Sequence, residues 1–296
     1  MERRKVLQGA GAIAAVAATG GFTMAHAGVS ADEGRKRGMA HGLTVLNLRR
    51  NGAYELAVKT DKGILMVPEA AKSLKMHAPA TMDDLLQHED GPSLNALVDA
   101  ALKSSSAHSI FIKEDGIEYG PVVVHPEKIV CVGLNYRKHA QEIGSPIPKV
   151  PVLFNKFNVA LNHHKGTVKL PAEFAKKFDY ECELVMVIGK TPDQFAPLGP
   201  YMVTADQINP DNLKLETRVN GETRQSSNTS DFIFNSKQMV SYISRYITLR
   251  PGDIIFTGTP EGVIQGKPKD QQVWLKPGDK IACSLEKLGE LTFDLV

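Results

Sequence analysis

Residues 179–190 read DYECELVMVIGK. As a strand, this stretch throws Asp179, Glu181 and Glu183 onto one face and Tyr180, Cys182 and Leu184 onto the other, because strand side chains alternate with period two. Carboxylates two positions apart have Cβ atoms roughly 6 to 7 Å apart, given a rise of about 3.3 Å per residue, close enough to converge on one ion. The apolar run from Leu184 to Ile188 follows, so the acids stand where a strand enters the interior. Unpaired like charges there repel and raise one another's pKa values. A hard divalent cation, Mg2+, Mn2+ or Ca2+, removes that cost because oxygen ligands are what it prefers. The alternative is a solvated face at a strand end.

Asn135-Tyr136-Arg137-Lys138-His139-Ala140-Gln141-Glu142 follows the apolar stretch Ile129 to Val132 and Gly133. On a helix, His139 and Glu142 stand at i and i+3 on one face. A carboxylate beside an imidazole orients it and raises its basicity, which suits proton abstraction from water, although a His with a nearby Glu is more often plain polar surface. Residues 256–263, FTGTPEGV, offer backbone N–H groups and hydroxyls as a cradle for a substrate carboxylate, or form a plain strand exit. Lys156 in Phe154-Asn155-Lys156 could supply a cation to the same anion. His163 and His164 are neighbours that would face opposite ways on a strand, so they read as loop polarity.

The elements that must hold these groups are mostly short strands. The 296 residues are 42% hydrophobic, enough for a large core. Residues 1–27 carry Arg3 and Arg4, a Gly/Ala-rich run and Ala25-His26-Ala27, which reads as a twin-arginine export signal and predicts a periplasmic or secreted protein. A membrane anchor or buried helix is the alternative, but the run is too short to span comfortably and no later segment is apolar enough to cross a bilayer. Removing residues 1–27 takes the formal charge from +2 to zero, which gives no case for nucleic acid as partner. The three cysteines, Cys131, Cys182 and Cys283, fit neither a disulfide framework nor a zinc site and read as small core residues. Residues 28–42 read as a linker. Residues 43–67 read as a β meander with Asn51-Gly52 and Asp61-Lys62-Gly63 as turns. Residues 69–103 have helical spacing, with Thr81 or Asp83 as a cap. Beyond residue 121 the chain is β-rich. Leu249-Arg250-Pro251-Gly252-Asp253 and Leu275-Lys276-Pro277-Gly278-Asp279 read as turns delivering strands. Residues 236–246 form a helix, with Ser236 as N-cap and Met239, Val240, Ile243 and Tyr246 on one face.

Taken in order, VGLNYRKHAQE, PVLFNKF, DYECELVMVIGK, APLGPYMVTAD, VNGETRQSSNTSDFIF, SYISRYITLRPGDIIFTGTPEGV and LKPGDKIACSLEKLGEL make residues 121–296 resemble the fumarylacetoacetate hydrolase family, with a looser match from about residue 43. The resemblance implies an α+β, mostly β fold: a mixed β-roll over residues 121–296, with a small N-terminal α+β domain over residues 43–120. It implies a homodimer with a divalent metal, Mg2+ or else Mn2+ or Ca2+, holding a small 2-oxo or diketo acid. The implied reaction is hydrolysis of a carbon–carbon bond. Isomerisation, hydration, decarboxylation, or carboxylate binding without turnover are the alternatives. Carried over by position, Glu181 and Glu183 match two metal carboxylates, His139 with Glu142 the general-base pair on a lid, and Lys156 and Thr259 positions near the substrate. The chain departs from the family between residues 190 and 196, where strands bringing a third metal aspartate and a second lysine are absent. Asp179, or less readily Asp193, would stand in for that aspartate.

Overall fold

A run such as Ile129-Val130-Cys131-Val132 has no polar side, so a strand built from it must be covered on both faces. The computed structural model, which describes residues 37–104, 109–189 and 199–296, satisfies that demand with three mixed or antiparallel sheets. The twin-arginine stretch and Asp193 lie outside the described residues. The described elements start with the meander β1 (Thr44–Arg50), β2 (Ala53–Thr60) and β3 (Gly63–Met66). Helices α1 (Val67–Leu74), α2 (Met82–His88) and α3 (Gly91–Lys103) and strand β4 (Phe111–Ile112) follow. Next come β5 (Ile129–Gly133), α4 (Arg137–Glu142), β6 (Val152–Asn155), β7 (Gly166–Val168), β8 (Val185–Val187) and β9 (Met202–Val203). The hairpin of β10 (Lys214–Val219) and β11 (Glu222–Asn228), then α5 (Ser236–Ile243), β12 (Ile254–Phe256), β13 (Lys280–Leu285) and β14 (Gly289–Leu295) complete the order.

The sheets run β4-β3-β2-β1-β9, β11-β10-β13-β14-β7 and β6-β5-β12-β8. In the last, β12 is parallel to β5 and antiparallel to β8. Alternate residues of this sheet feed two separate cores. Ile129, Cys131, Val185, Val187 and Ile254 pack with the N-terminal helices, in a cluster that includes Leu86, Leu94 and Leu97. Val130, Val132, Leu184, Met186, Ile188 and Ile255 pack with Leu215 and with Met239 and Ile243 of α5. Strands β5, β8 and β12 therefore form a middle layer between the two cores, which is why their apolar runs are uninterrupted, while β6 is the exposed edge of the sheet. The first sheet is completed from far along the chain: β9 pairs with β1, Val45 opposite Met202.

Turn chemistry behaves as its residues dictate. Asn51 and Gly52 both take positive φ, 51° and 79°, which suits the tight reversal between β1 and β2. Gly252 and Gly278 sit at φ 90° and 94° in the two Pro-Gly turns. In each, the next residue's carboxylate accepts the amide three positions back, Arg250 N to Asp253 Oδ2 at 2.7 Å and Lys276 N to Asp279 Oδ2 at 2.9 Å. Those bonds point the chain into β12 and β13.

Thr81 caps α2 in a reciprocal box with Asp84. At α5 the cap is Asn235 rather than Ser236: Asn235 Oδ1 accepts the Gln238 amide and the Gln238 side chain returns to the Asn235 amide. Ser236 is instead held by Asp211. Tyr246 lies past the end of the helix and is 70% exposed, so the buried stripe is Met239, Val240 and Ile243 alone. Asn235→Ala is expected to cost about 1 kcal/mol of stability, read as a lower urea midpoint with unchanged slope.

Candidate active site

The segment 179–184 approaches β8 in extended form without joining a ladder, so the strand is shorter than its sequence pattern suggests. The alternation persists: Tyr180, Cys182 and Leu184 are buried, Glu181 is exposed and Glu183 is half-buried. Glu181 and Glu183, on the side-chain parity of Val185, line a cavity of about 440 Å³ together with Lys156 and His163. Glu183 Oε2 accepts the Gly258 amide at 2.6 Å. Burial, with the nearby negative charge of Glu181 adding to it, pushes the Glu183 carboxyl up to about 8, against the opposing pull of the Lys156 ammonium and the Gly258 bond. Lys156 Nζ stands 4.8 Å from the centre of the Phe256 ring, a cation–π contact at the cavity wall.

Asp179 does not join the glutamates as a third oxygen donor. Its Oδ1 accepts the amides of Tyr180 and Ile264, and its Oδ2 accepts that of Gln265, so both oxygens hold the turn at residues 264–266. Among the described residues no three His, Cys, Asp or Glu side chains form a cation cage. What is present is a crowded carboxylate pair, one member of which holds its proton to higher pH than usual. Two carboxylates completed by solvent oxygens are a donor set that suits a hard divalent cation, Mg2+ above all, which keeps several waters. Glu181 and Glu183 therefore fit the group that the sequence implies.

His139 Nδ1 lies 2.8 Å from Glu142 Oε1, the i,i+3 contact expected from their spacing on α4. A carboxylate accepts, so Nδ1 carries the proton and Nε2 is the free basic nitrogen. Glu142 in turn accepts the Gly262 amide on both oxygens, at 3.1 and 2.9 Å. The helix is tied down at its start, where the Lys138 amide donates to Asp231 Oδ2 at 3.0 Å. The expected anion cradle in FTGTPEG is thus filled by the protein's own acids: the Gly258 amide holds Glu183 and the Gly262 amide holds Glu142. His139, Glu142 and Thr259 do not line the cavity. Thr259 is buried, its hydroxyl donating to the Cys182 carbonyl at 3.2 Å and accepting from Gln225 Nε2 at 2.9 Å.

Sequence reasoning passed over two residues. Gln225, on β11, is fully buried. Its Oε1 accepts from the Cys182 amide and the Thr217 hydroxyl, and its Nε2 donates to Thr259 Oγ1 and Pro260 O. It welds the carboxylate segment, β10 and the glycine loop together, and the available signal was a lone amide in the polar strand ETRQSSN. His163 was read as loop polarity but lies on the cavity wall, with Nδ1 2.9 Å from the His164 carbonyl. Its neighbour His164 turns away, Nδ1 accepting the Thr292 amide and the ring meeting Tyr119 edge-on. The cysteines are free. Cys131 and Cys182 are buried, Cys182 and Cys283 both line the cavity, and the Cys283 thiol lies 3.8 Å from the Thr217 hydroxyl.

The sequence model of the fumarylacetoacetate hydrolase C-terminal region matches residues 128–193 and 189–296. The chain belongs to the fumarylacetoacetate hydrolase family. The match breaks into two pieces that meet at the short connection after β8, where the family pattern is interrupted. The mitochondrial oxaloacetate tautomerase FAHD2A of Bos taurus is 35% identical over 253 residues, covering 71% of this chain and 78% of the relative. Among solved structures, an HpcE protein from Mycobacterium smegmatis superposes with a TM-score of 0.67 at 30% identity, over 86% of this chain and 99% of that one. The fumarylpyruvate hydrolase of Pseudomonas aeruginosa, in complex with Mn2+ and pyruvate, is 27% identical with a TM-score of 0.50, over 62% of this chain and 92% of its own. Members of this family are enzymes that use divalent metals.

The export expectation built on Arg3, Arg4 and Ala25-His26-Ala27 is corrected by the same comparison. The cattle, rat and human relatives are mitochondrial proteins, which points away from a periplasmic or secreted location. An arginine-bearing, acid-poor, Ala-rich start is common to leaders of more than one kind, so those residues do not specify export.

Replacing Gln225 by Leu strands the Cys182 amide in the interior and leaves the Thr217 hydroxyl only its contact with the Cys283 thiol, and is expected to cost at least about 2 kcal/mol in urea unfolding. A raised carboxyl pKa also carries a sign. Between the ordinary carboxylate range and about 8, the folded state keeps a proton on Glu183 that the unfolded chain has released. Stability of the metal-free protein therefore falls as pH rises through that window. Melting temperature against pH checks this, and Glu183→Gln should flatten the decline.

Proposed function

We propose that this chain is a divalent-metal-dependent enzyme acting on a small 2-oxo acid, with proton transfer beside the keto group as its core step. The observation that carries the reading is the pair Glu181 and Glu183 facing Lys156 across one cavity. A divalent cation held by these two glutamates supplies Lewis acidity that favours the enolate. Lys156 offers its ammonium to the substrate carboxylate. His139 takes or returns the proton through Nε2, with Glu142 fixing the tautomer and balancing the imidazolium. Because His139 stands outside the cavity, it serves the reaction only after a small movement of α4 or through a water. Keto–enol interconversion needs no more than these parts, and the tautomerase relatives at 35% identity favour it. Carbon–carbon hydrolysis adds attack by an activated water and is favoured by the likeness to fumarylpyruvate hydrolase. Ligand binding without turnover is the reading favoured by the interrupted family match at residues 189–193.

We also read the β6 edge as the contact face of a homodimer. Val152, Phe154, Phe157 and Val159 are 45%, 50%, 76% and 95% exposed beside an edge strand, an apolar margin that a second copy would cover.

Millimolar Mg2+ or Mn2+ should raise the melting temperature. A tenfold excess over Kd is worth about 1.4 kcal/mol, or about 3 °C or more in a chain of this size. Glu181→Ala should abolish that rise. Enol absorbance of oxaloacetate or an acylpyruvate, followed with metal present, should show turnover that His139→Ala reduces by about 10²- to 10⁴-fold. A melting temperature indifferent to both ions sinks the metal reading. Turnover unaffected by His139→Ala sinks the proton-transfer assignment.

A further inference from the structure

The cavity is lined mainly by apolar side chains, with a few polar groups among them. Period-two alternation on the β13–β14 hairpin sends one face of each strand into it. Ile281 pairs with Phe293 and Cys283 with Leu291 across the ladder, and all four line the space. Ile129, Val185 and Phe256 from the four-stranded sheet line it as well. Positive charge is scarce: among the described residues lining the cavity, Lys156 is the one lysine and there is no arginine. His163 adds no donor in its neutral form. Its Nδ1 faces the His164 carbonyl, which can only accept, so Nδ1 carries the ring's proton and Nε2 presents a lone pair.

A dicarboxylate substrate brings two negative ends into this space. Lys156 and a cation on Glu181 and Glu183 answer the first. The second would meet apolar side chains, the glutamates, or the uncharged Asn162 amide, whose Nδ2 already donates to the Thr167 carbonyl, and a buried carboxylate without a cationic partner is strongly disfavoured. An alkyl or aryl group in the same place meets the hairpin wall and leaves water behind. Resting on the 2-oxo acid reading above, we infer that this cavity selects a monocarboxylic 2-oxo acid with an apolar tail over a dicarboxylate such as oxaloacetate. The selecting surface is the inward face of the β13–β14 hairpin. This separates the chain's preference from the substrate named for its tautomerase relatives.

Calorimetric titration of the full chain with phenylpyruvate, pyruvate and oxaloacetate, in millimolar Mg2+, tests this. Phenylpyruvate should bind at least about tenfold more tightly than oxaloacetate. Phe293→Ala and, separately, Leu291→Ala should each weaken phenylpyruvate by about fivefold while leaving pyruvate unchanged. A thermal melt of each variant verifies that it folds, and two positions on one wall guard against the loss of either. Oxaloacetate binding as tightly as phenylpyruvate, or folded wall variants that leave the preference intact, would overturn the inference. So would failure of every oxo acid to bind while Mg2+ still raises the melting temperature, an outcome that leaves the metal reading standing. Conversely, a preference for phenylpyruvate that survives both chelation and Glu181→Ala supports tail selection and removes the metal from it.

Discussion

Two acids from different parts of the chain are gripped by backbone amides of one loop, and the rest of the site is arranged around that grip. Gly258 N–H holds Glu183 and Gly262 N–H holds Glu142. Both glycines take positive φ, 94° and 98°. A Cβ at Gly258 would come within 2.8 Å of the Val132 carbonyl oxygen, and one at Gly262 within 2.3 Å of the Arg224 carbonyl oxygen. No other residue fits there without moving backbone. Asn135 Nδ2 binds the Thr257 carbonyl at 2.9 Å and Gln225 binds Thr259 and Pro260, so the loop is braced from the middle sheet and from β11. The carboxylate of the candidate metal pair and the carboxylate behind the imidazole are thus set by one short piece of main chain.

The site sets charge against dryness. Glu183 is drawn into a largely apolar hollow, answered by one backbone amide and the lysine across the space, and it keeps its proton far above the ordinary carboxylate range. The same apolar surroundings that raise the cost of a bare carboxylate also sharpen every electrostatic contact made inside.

Much of this architecture was legible in the sequence because period and turn chemistry are local. The alternation in DYECEL sorted Glu181 and Glu183 from Tyr180, Cys182 and Leu184 correctly even though the ladder begins only at Val185. The i,i+3 spacing of His139 and Glu142 predicted their contact, and the Pro-Gly-Asp turns predicted where β12 and β13 begin. What escaped is non-local. Asp179 looks like a third ligand by parity, yet the amides of Ile264 and Gln265, more than eighty positions away, claim it. The amides of the Gly/Thr loop looked free for a ligand because nothing in their neighbourhood reveals that acids from positions 142 and 183 will fill them. Gln225 carries no motif, and its importance comes from the three segments it meets. The Asn235 cap was missed by one residue because Asn and Ser are both good caps, and Asp211, distant in sequence, decides what Ser236 does instead.

The pairing of β1 with β9 bears on how the protein is made. Val45 waits for Met202, so on the ribosome the first sheet emerges with its β1 margin bare and keeps it bare until more than half the chain has been translated. During that interval an unpaired row of amides and carbonyls is open to other nascent strands. A chaperone that shelters exposed strand edges would have its longest task here, from the emergence of β1 until β9 follows, an interval that also delivers Glu142, Glu181 and Glu183.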